Sequence, residues 1–171
     1  MKEQPHITLR AIEPEDLDLL YHIENDRQLW DVGPTSVPYS RYALHDYVAH
    51  ASADIYTDKQ VRLVIEDAEH KVVGLADLTD FDPKHRRAEV GIVIVKKERG
   101  RHLAKAALEM LHEYALRTLH LHQIYAVIGT DNVQATTLFQ SMGYTHDALL
   151  RQWIYDGQDY HDARLFQKLL I

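Results

Sequence analysis

The stretch "HITLRAI" (6–12) alternates apolar and polar residues as a half-buried strand does, and predicts one. "EPEDLDLLYHIENDRQLW" (13–30) changes to helical spacing, with Pro14 and a group of acids in the first turn. "DVGPTSVPYS" (31–40), with Gly33, Pro34 and Pro38, predicts a loop, and a second helix is expected over about 40–54, carrying Tyr42, Leu44, Tyr47 and Val48. Three strands then follow in quick succession: "QVRLVIE" (60–66), "VVGLADLTDF" (72–81) and "AEVGIVIV" (88–95). The connections "DAEHK" and "DPKHRR" are too short for anything but an antiparallel meander.

A long helix is expected over 101–119, with Leu103, Ala106, Ala107, Met110, Leu111 and Tyr114 on one stripe. Lys105, Glu109, His112 and Glu113 fall largely on the other side, so this helix can pack on a sheet. After it come a strand "QIYAVI" (123–128) and a helix near "TDNVQATTLFQSM", with Asp131 as its expected N-cap and Gly143 as its stop. Two last strands flank the Asp156–Gly157 turn. The order is β-α-α-β-β-β-α-β-α-β-β, a mixed sheet with helices, in which only the later β-α-β part predicts parallel pairing. No repeat, low-complexity segment or linker interrupts it, so residues 1–171 are expected to form one domain.

Composition narrows the function mainly by exclusion. With 46% hydrophobic and 26% charged residues the chain fits neither a disordered nor a fibrous protein. No apolar run reaches the roughly 18–20 residues of a membrane span, and "MKEQPHITLR" lacks the apolar core of a secretory signal, so a cytoplasmic protein with no membrane partner is expected. The absence of cysteine removes thiolate metal sites and cysteine nucleophiles. The twelve histidines are dispersed and "HEYAL" (112–116) lacks the second His of a zinc helix, so no metal is expected. A formal net charge of -7 argues against a nucleic-acid partner and suits a cationic amine drawn in by the protein's field.

Against that acidic background, Lys96, Lys97, Arg99 and Arg101 gather at one strand-to-helix junction. A helix starting directly after a strand aims unpaired N–H groups and its positive dipole end outward, which makes an anion site. Gly100 allows close approach to the main chain, and Arg99 and Arg101 can add charge-assisted contacts to phosphate oxygens. The alternative is an ordinary turn with solvated charges. Neither a Walker A loop nor a G-x-G-x-x-G fingerprint is present.

The stretch "IVIVKKERGRHLA" (92–104) resembles the acetyl-CoA motif of the GCN5-related N-acetyltransferases, an apolar strand leading into a [Gln/Arg]-x-x-Gly-x-[Gly/Ala] loop and helix. Arg99 matches the first position and Ala104 the last, while His102 stands where the family has its second glycine. A residue entering a right-handed helix need not have positive φ, so a side chain there is expected to be tolerated. "LRAIEPEDLDLLYHIEND", "HRRAEVGIVI", "LHLHQIYAVIGTDNVQATTLFQSMGY" and "DGQDYHDARLF" are similar, in the same order, to the spermidine and ribosomal-protein N-acetyltransferase branch.

The resemblance implies an α/β (α+β) fold, a mixed, mostly antiparallel twisted sheet flanked by helices, with acetyl-CoA as cosubstrate and no metal. By the same resemblance, main-chain amides of Arg99, Gly100, Arg101, His102, Leu103 and Ala104 hold the pyrophosphate, and Ile92, Val93 and Ile94 align the pantetheine. An amide of that strand would polarise the thioester carbonyl. Asn132 matches an Asn that approaches the pantetheine or acetyl region, with helix capping as its alternative role. Phe139 stands where the branch has a tyrosine that protonates the departing thiolate, within the cofactor-binding segment. Three readings follow: the thiolate leaves with help from water or a backbone N–H only, Tyr144 substitutes, or the chain is a catalytically weak, CoA-binding relative.

Glu89 is the candidate base for the incoming ammonium, with pairing to Arg86 or Arg87 as the alternative. Glu24, Asp26, Asp31, Asp77 and Asp80 could line an acceptor site for a cationic amine or form a solvated surface. The implied reaction is direct transfer of acetyl to a primary amine, a polyamine or other small amine first and a protein N-terminal amine second. A homo-oligomer, most simply a dimer, is expected, partly because the C-terminal hairpin offers strand edges.

Overall fold

The computed structural model describes residues 5–30, 37–52 and 54–171. Most of the loop expected over 31–40, with Asp31, lies outside the described residues. Strand β1 (Ile7–Ala11) leads through a 3-10 turn (Pro14–Asp16) into α1 (Leu17–Glu24), the short α2 (Arg27–Trp30), α3 (Arg41–His50) and the short α4 (Ile55–Asp58). Strands β2 (Val61–Asp67), β3 (Val72–Asp82) and β4 (Arg87–Ile94) follow, then a 3-10 turn (Lys96–Glu98) and α5 (Leu103–Arg117). The chain closes with β5 (Gln123–Gly129), α6 (Val133–Ser141), β6 (Thr145–Tyr155) and β7 (Tyr160–Leu169).

One seven-stranded sheet runs in the order β1-β2-β3-β4-β5-β7-β6. Every pairing is antiparallel except β4 with β5, which are joined by the α5 crossover, so the expected meander and the single parallel pair are both present. The helix expected over 13–30 is broken at Asn25. The Asn25 side chain donates to the Tyr39 carbonyl at 3.0 Å and accepts from the Tyr39 amide at 2.8 Å, tying the helix end to the start of α3 instead of continuing the turn. Ser40 caps α3, its Oγ accepting from the Ala43 amide at 3.0 Å.

The two faces of the sheet carry different layers. One buries α5 and α6 in the main core, with Ala88, Val90 and Ile94 of β4 and Ile124, Ala126 and Ile128 of β5. The other packs α1 and α3 through Leu20 and Leu44 onto Val64 and Leu75. Burying a leucine or isoleucine fully is worth about 1.5–3 kcal/mol, so α5 is anchored chiefly by Leu103, Leu108 and Leu111. Here the expected stripe is corrected: Met110 is 38% exposed, and Leu108 takes its place in the core. The buried positions 103, 106, 107, 108, 111 and 115 follow one turn after another and leave Met110 outside the stripe.

Candidate functional site

Parallel pairing between β4 and β5 lasts only three residues: Arg87 with Gln123, Ala88 with Ile124, and Glu89 with Tyr125. Beyond Glu89, β4 continues to pair with β3 as far as Ile94, and β5 with β7 as far as Gly129. The two strands therefore diverge into a split whose walls are the inner edges of Gly91–Ile94 and Val127–Gly129. Strand backbone groups alternate between the two edges, so half of those in each wall face the opening. Ile92 and Val93 of the expected pantetheine segment lie half-exposed along it, and Ile94 is buried.

At the apex of the split sits Glu89. Its carboxylate accepts from the Val127 amide, the N–H that loses its ladder partner where the strands part. Burial raises the Glu89 carboxyl above the usual range, the Val127 bond opposes this, and the nearby Asp80 charge adds to the rise. Neither pairing considered for Glu89 is formed. Arg86 donates through Nε to the His120 carbonyl at 2.6 Å, and Arg87 pairs with Asp82 at 3.3 Å.

Beside Glu89 the structure adds a residue that sequence reasoning missed. Tyr125, its register partner on β5, donates its hydroxyl to Asp80 Oδ2 at 2.6 Å. Asp80 lies on an interruption of the β3–β4 register between Thr79 and Asp82, with a left-handed φ of 49°. Such a bulge turns a side chain away from the regular pleat, here toward β5. Of the other acids considered for an acceptor site, Glu24 and Asp77 both bind the Arg62 guanidinium, Asp77 at 2.9 and 3.1 Å. Asp26 accepts from the Gln28 amide at 3.0 Å.

At the far end of the split, α5 begins without a side-chain cap on its first amides. An alanine-sized side chain at Gly100, φ 83°, would meet nothing within 4 Å, so the space in front of the helix is open. Arg99 Nε donates to the Ile94 carbonyl at 3.0 Å and holds the loop against the strand end. Arg101 is turned toward Glu98 and Asp67.

His102 corrects the expectation of an ordinary helical backbone: its φ of 59° and ψ of 15° lie in the left-handed region. The chain makes two such turns, at Gly100 and His102, between the 3-10 turn and α5. A non-glycine residue there costs roughly 1 kcal/mol or more, which explains why glycine suits the position. The side chain is exposed, so His102→Gly loses no buried contact. It should stabilise the protein by about 0.5–1 kcal/mol, read as a Tm about 2–3 °C higher, with CoA affinity undiminished.

Asn132, not Asp131, caps α6, its Oδ1 accepting from the Ala135 amide at 3.0 Å. Phe139 is buried, with Tyr144 edge-on at 4.8 Å between ring centroids and Phe166 at 6.3 Å. Tyr144 is 4% exposed and shares a 2.9 Å hydrogen bond with His112 Nε2. Burial pushes the Tyr144 hydroxyl well above its ordinary range, and burial followed by the Lys168 charge lowers His112 to about 4. Both side chains of the expected acid region thus belong to an aromatic core. Tyr144→Phe is expected to cost about 1 kcal/mol of stability by unpairing His112, with kcat unchanged within about twofold. A steady-state assay beside a melting curve checks it.

Among the described residues no three side chains of metal-ligating type come together, and no helix is long and apolar enough to cross a membrane. The chain matches the acetyltransferase (GNAT) domain family over residues 6–145. It is 26% identical over 158 residues to the spermidine N(1)-acetyltransferase of Vibrio cholerae, covering 92% of this chain and 90% of that one. The structure of spermidine N-acetyltransferase from Vibrio cholerae in complex with CoA and spermine superposes with a TM-score of 0.86 at 28% identity, over 96% of this chain and 95% of that one. A dodecameric structure from the same organism gives 0.82 at 27% identity, over 96% and 94%. A sheet that opens after three parallel pairs, an uncapped helix end facing that opening and a family match over most of the length lead to one assignment: the chain belongs to the GNAT acetyltransferases.

Proposed function

We propose that the protein transfers acetyl from acetyl-CoA directly to a polyamine or another small primary amine. The observation that carries this reading is the split between β4 and β5, with a carboxylate at its apex and the open N-terminus of a 15-residue helix at its far end. Those two ends suit what the reaction needs, a proton acceptor where the amine arrives and a seat for phosphate. The uncapped amides of α5 and the clear space at Gly100 suit a pyrophosphate. Main-chain groups of Ile92 to Ile94 would align the pantetheine, and Asn132 Nδ2 would donate to it.

The acceptor arrives as an ammonium and must lose a proton before its nitrogen can attack. Glu89 takes that proton, directly or through one water. The nitrogen then bonds to the thioester carbon, and an N–H of the β4 edge stabilises the oxyanion as it forms. Collapse breaks the carbon–sulfur bond while the nitrogen gives up its second proton to water, leaving an amide and the CoA thiolate. Since a free thiol has a pKa of about 8.5, the thiolate can depart with a water or a backbone N–H to assist it. This fits the burial of Phe139 and Tyr144, neither of which presents a proton to the opening. The polyamine preference is supported by the spermine-bound relative and by the acidic character of the chain.

The relative's dodecamer and the open edge at β6, where Trp153 and Tyr155 are exposed, support a homo-oligomer. Light scattering on the purified protein reads its size. The test of function is thiol release from acetyl-CoA across spermine, spermidine, a diamine and a peptide with a free N-terminus. Turnover is expected with the polyamines first. CoA binding without turnover on any amine overturns the enzymatic reading, and turnover confined to the peptide overturns the acceptor.

A further inference from the structure

The loop joining β4 to α5 has little backbone bonding of its own. The Glu98 amide donates to the Val95 carbonyl at 2.9 Å and the Arg99 amide to Lys96 at 3.5 Å, and α5 begins uncapped after two left-handed residues. Yet amides that receive a phosphate bind it best when already aimed, because ordering them at the moment of binding subtracts from affinity.

What aims them comes from the neighbouring hairpin. Asp67 ends β2, and its Oδ1 accepts from the amides of Glu69 at 3.2 Å and Lys71 at 3.1 Å, which fixes the carboxylate to the β2–β3 turn. Its Oδ2 faces both terminal nitrogens of Arg101 at 3.4 Å. Glu98, in the loop itself, binds Arg101 through one oxygen and Lys71 through the other. The two carboxylates are buried, 6% and 7% exposed, while Lys71 and Arg101 reach solvent. Two negative and two positive charges balance, so the acids tolerate burial only as members of the set.

We infer that Asp67, Lys71, Glu98 and Arg101 form the positioning device of the phosphate-binding loop, a charge clamp that fastens the start of α5 to the β2–β3 turn. Asp67, Lys71 and Glu98 are positioning residues, since they act through the amides that Arg101 and its neighbours present. The inference rests on the proposed seating of CoA at α5. It also answers why so acidic a chain gathers cations at this junction: Arg101 is there to neutralise buried acids, whereas Lys96, Lys97 and Arg99 are outside the clamp. Lys71 and then Arg101 hold the Glu98 carboxyl below its usual range. A carboxyl lowered in this way keeps its contribution above the ordinary range and loses it only as pH falls through the depressed value, so the clamp is intact near neutrality.

The test compares Glu98→Gln, Lys71→Met and Lys71→Arg with the unaltered protein. Glu98→Gln and Lys71→Met should raise the KM for acetyl-CoA and the Kd for CoA about tenfold, with kcat at saturation and the KM for the amine within about twofold. Lys71→Arg keeps the charge and should restore the KM. Amide hydrogen exchange over 99–104 should quicken in the first two variants. Should Glu98→Gln not fold, Lys71→Met probes the same clamp from its exposed end, where Lys71 is 60% accessible. A lowered Tm with an unchanged KM for acetyl-CoA would mean a purely structural cluster and overturn the inference. Failure of the unaltered protein to bind CoA would instead overturn the functional reading on which it rests.

Discussion

Glu89→Gln should lower kcat by about 10²-fold or more while leaving CoA affinity within about twofold. The substitution preserves the side-chain length and an oxygen that can still accept from the Val127 amide, so the apex of the split keeps its shape. What it removes is the carboxylate proposed to take the proton of the incoming ammonium. CoA affinity should hold because the α5 amides proposed to receive the pyrophosphate lie at the opposite end of the opening. The pH profile separates this role from a packing role. Burial, with help from Asp80, holds the Glu89 carboxyl above the ordinary range, so kcat/KM should rise with slope one as pH passes that raised value. Glu89 is protonated and inactive below it. The groups beside Glu89 are Asp80 from β3, and the Val127 amide and Tyr125 from β5. Asp80→Asn removes a negative neighbour and should move the limb toward lower pH. In Glu89→Gln the acid limb should vanish, leaving only the limb of the amine itself at much higher pH. Activity within threefold of the unaltered protein, with the acid limb intact, excludes Glu89 as the base.

The legibility of this site in the sequence differed residue by residue. The apolar run into a glycine and then a helix is a local pattern, so β4, its loop and α5 followed from spacing alone, as did the meander and the one parallel crossover. Glu89 was visible as a carboxylate on an apolar strand, but its partner was not, because the Val127 amide becomes available only where two strands diverge. Tyr125 and Asp80 are 45 residues apart in the chain, and a bulge with a left-handed residue brings them together. No periodicity announces a bulge at an aspartate. His102 departs from its expected backbone for a related reason: sequence indicates where a helix begins, but the handedness of the residue before it depends on how the loop arrives. The clamp is not legible in the sequence because its acids come from the last residue of β2 and from a 3-10 turn, and only the folded sheet sets the two side by side.

Gly74→Ala is expected to be the most damaging single-methyl change, although Gly74 touches neither Glu89 nor the phosphate loop. It sits on β3 opposite Ile94, the last residue of β4. A Cβ there would lie 2.1 Å from the Val93 carbonyl oxygen and 3.1 Å from Ile94 Cδ1. The first contact is with main chain, so no rotamer change relieves it, and β4 must move along the wall that borders the split. Overpacking of this kind costs roughly 3 kcal/mol, a Tm lower by about 6–12 °C in a chain of this length. Because the displaced segment is Val93–Ile94, the KM for acetyl-CoA should also rise, more than any general loosening would produce. Gly91→Ala is the internal control. It lies on β4, opposite Asp77 in the same β3–β4 pairing, but its added Cβ would stand 3.7 Å from the Asp77 Cβ, an ordinary contact, and it should cost less than about 1 kcal/mol. Equal melting temperatures for the two variants would show that β3 and β4 are not held at the spacing that brings the Val93 carbonyl against Gly74. The wall of the split would then be soft, and rigid alignment of the thioester by Ile92–Ile94 would lose its basis.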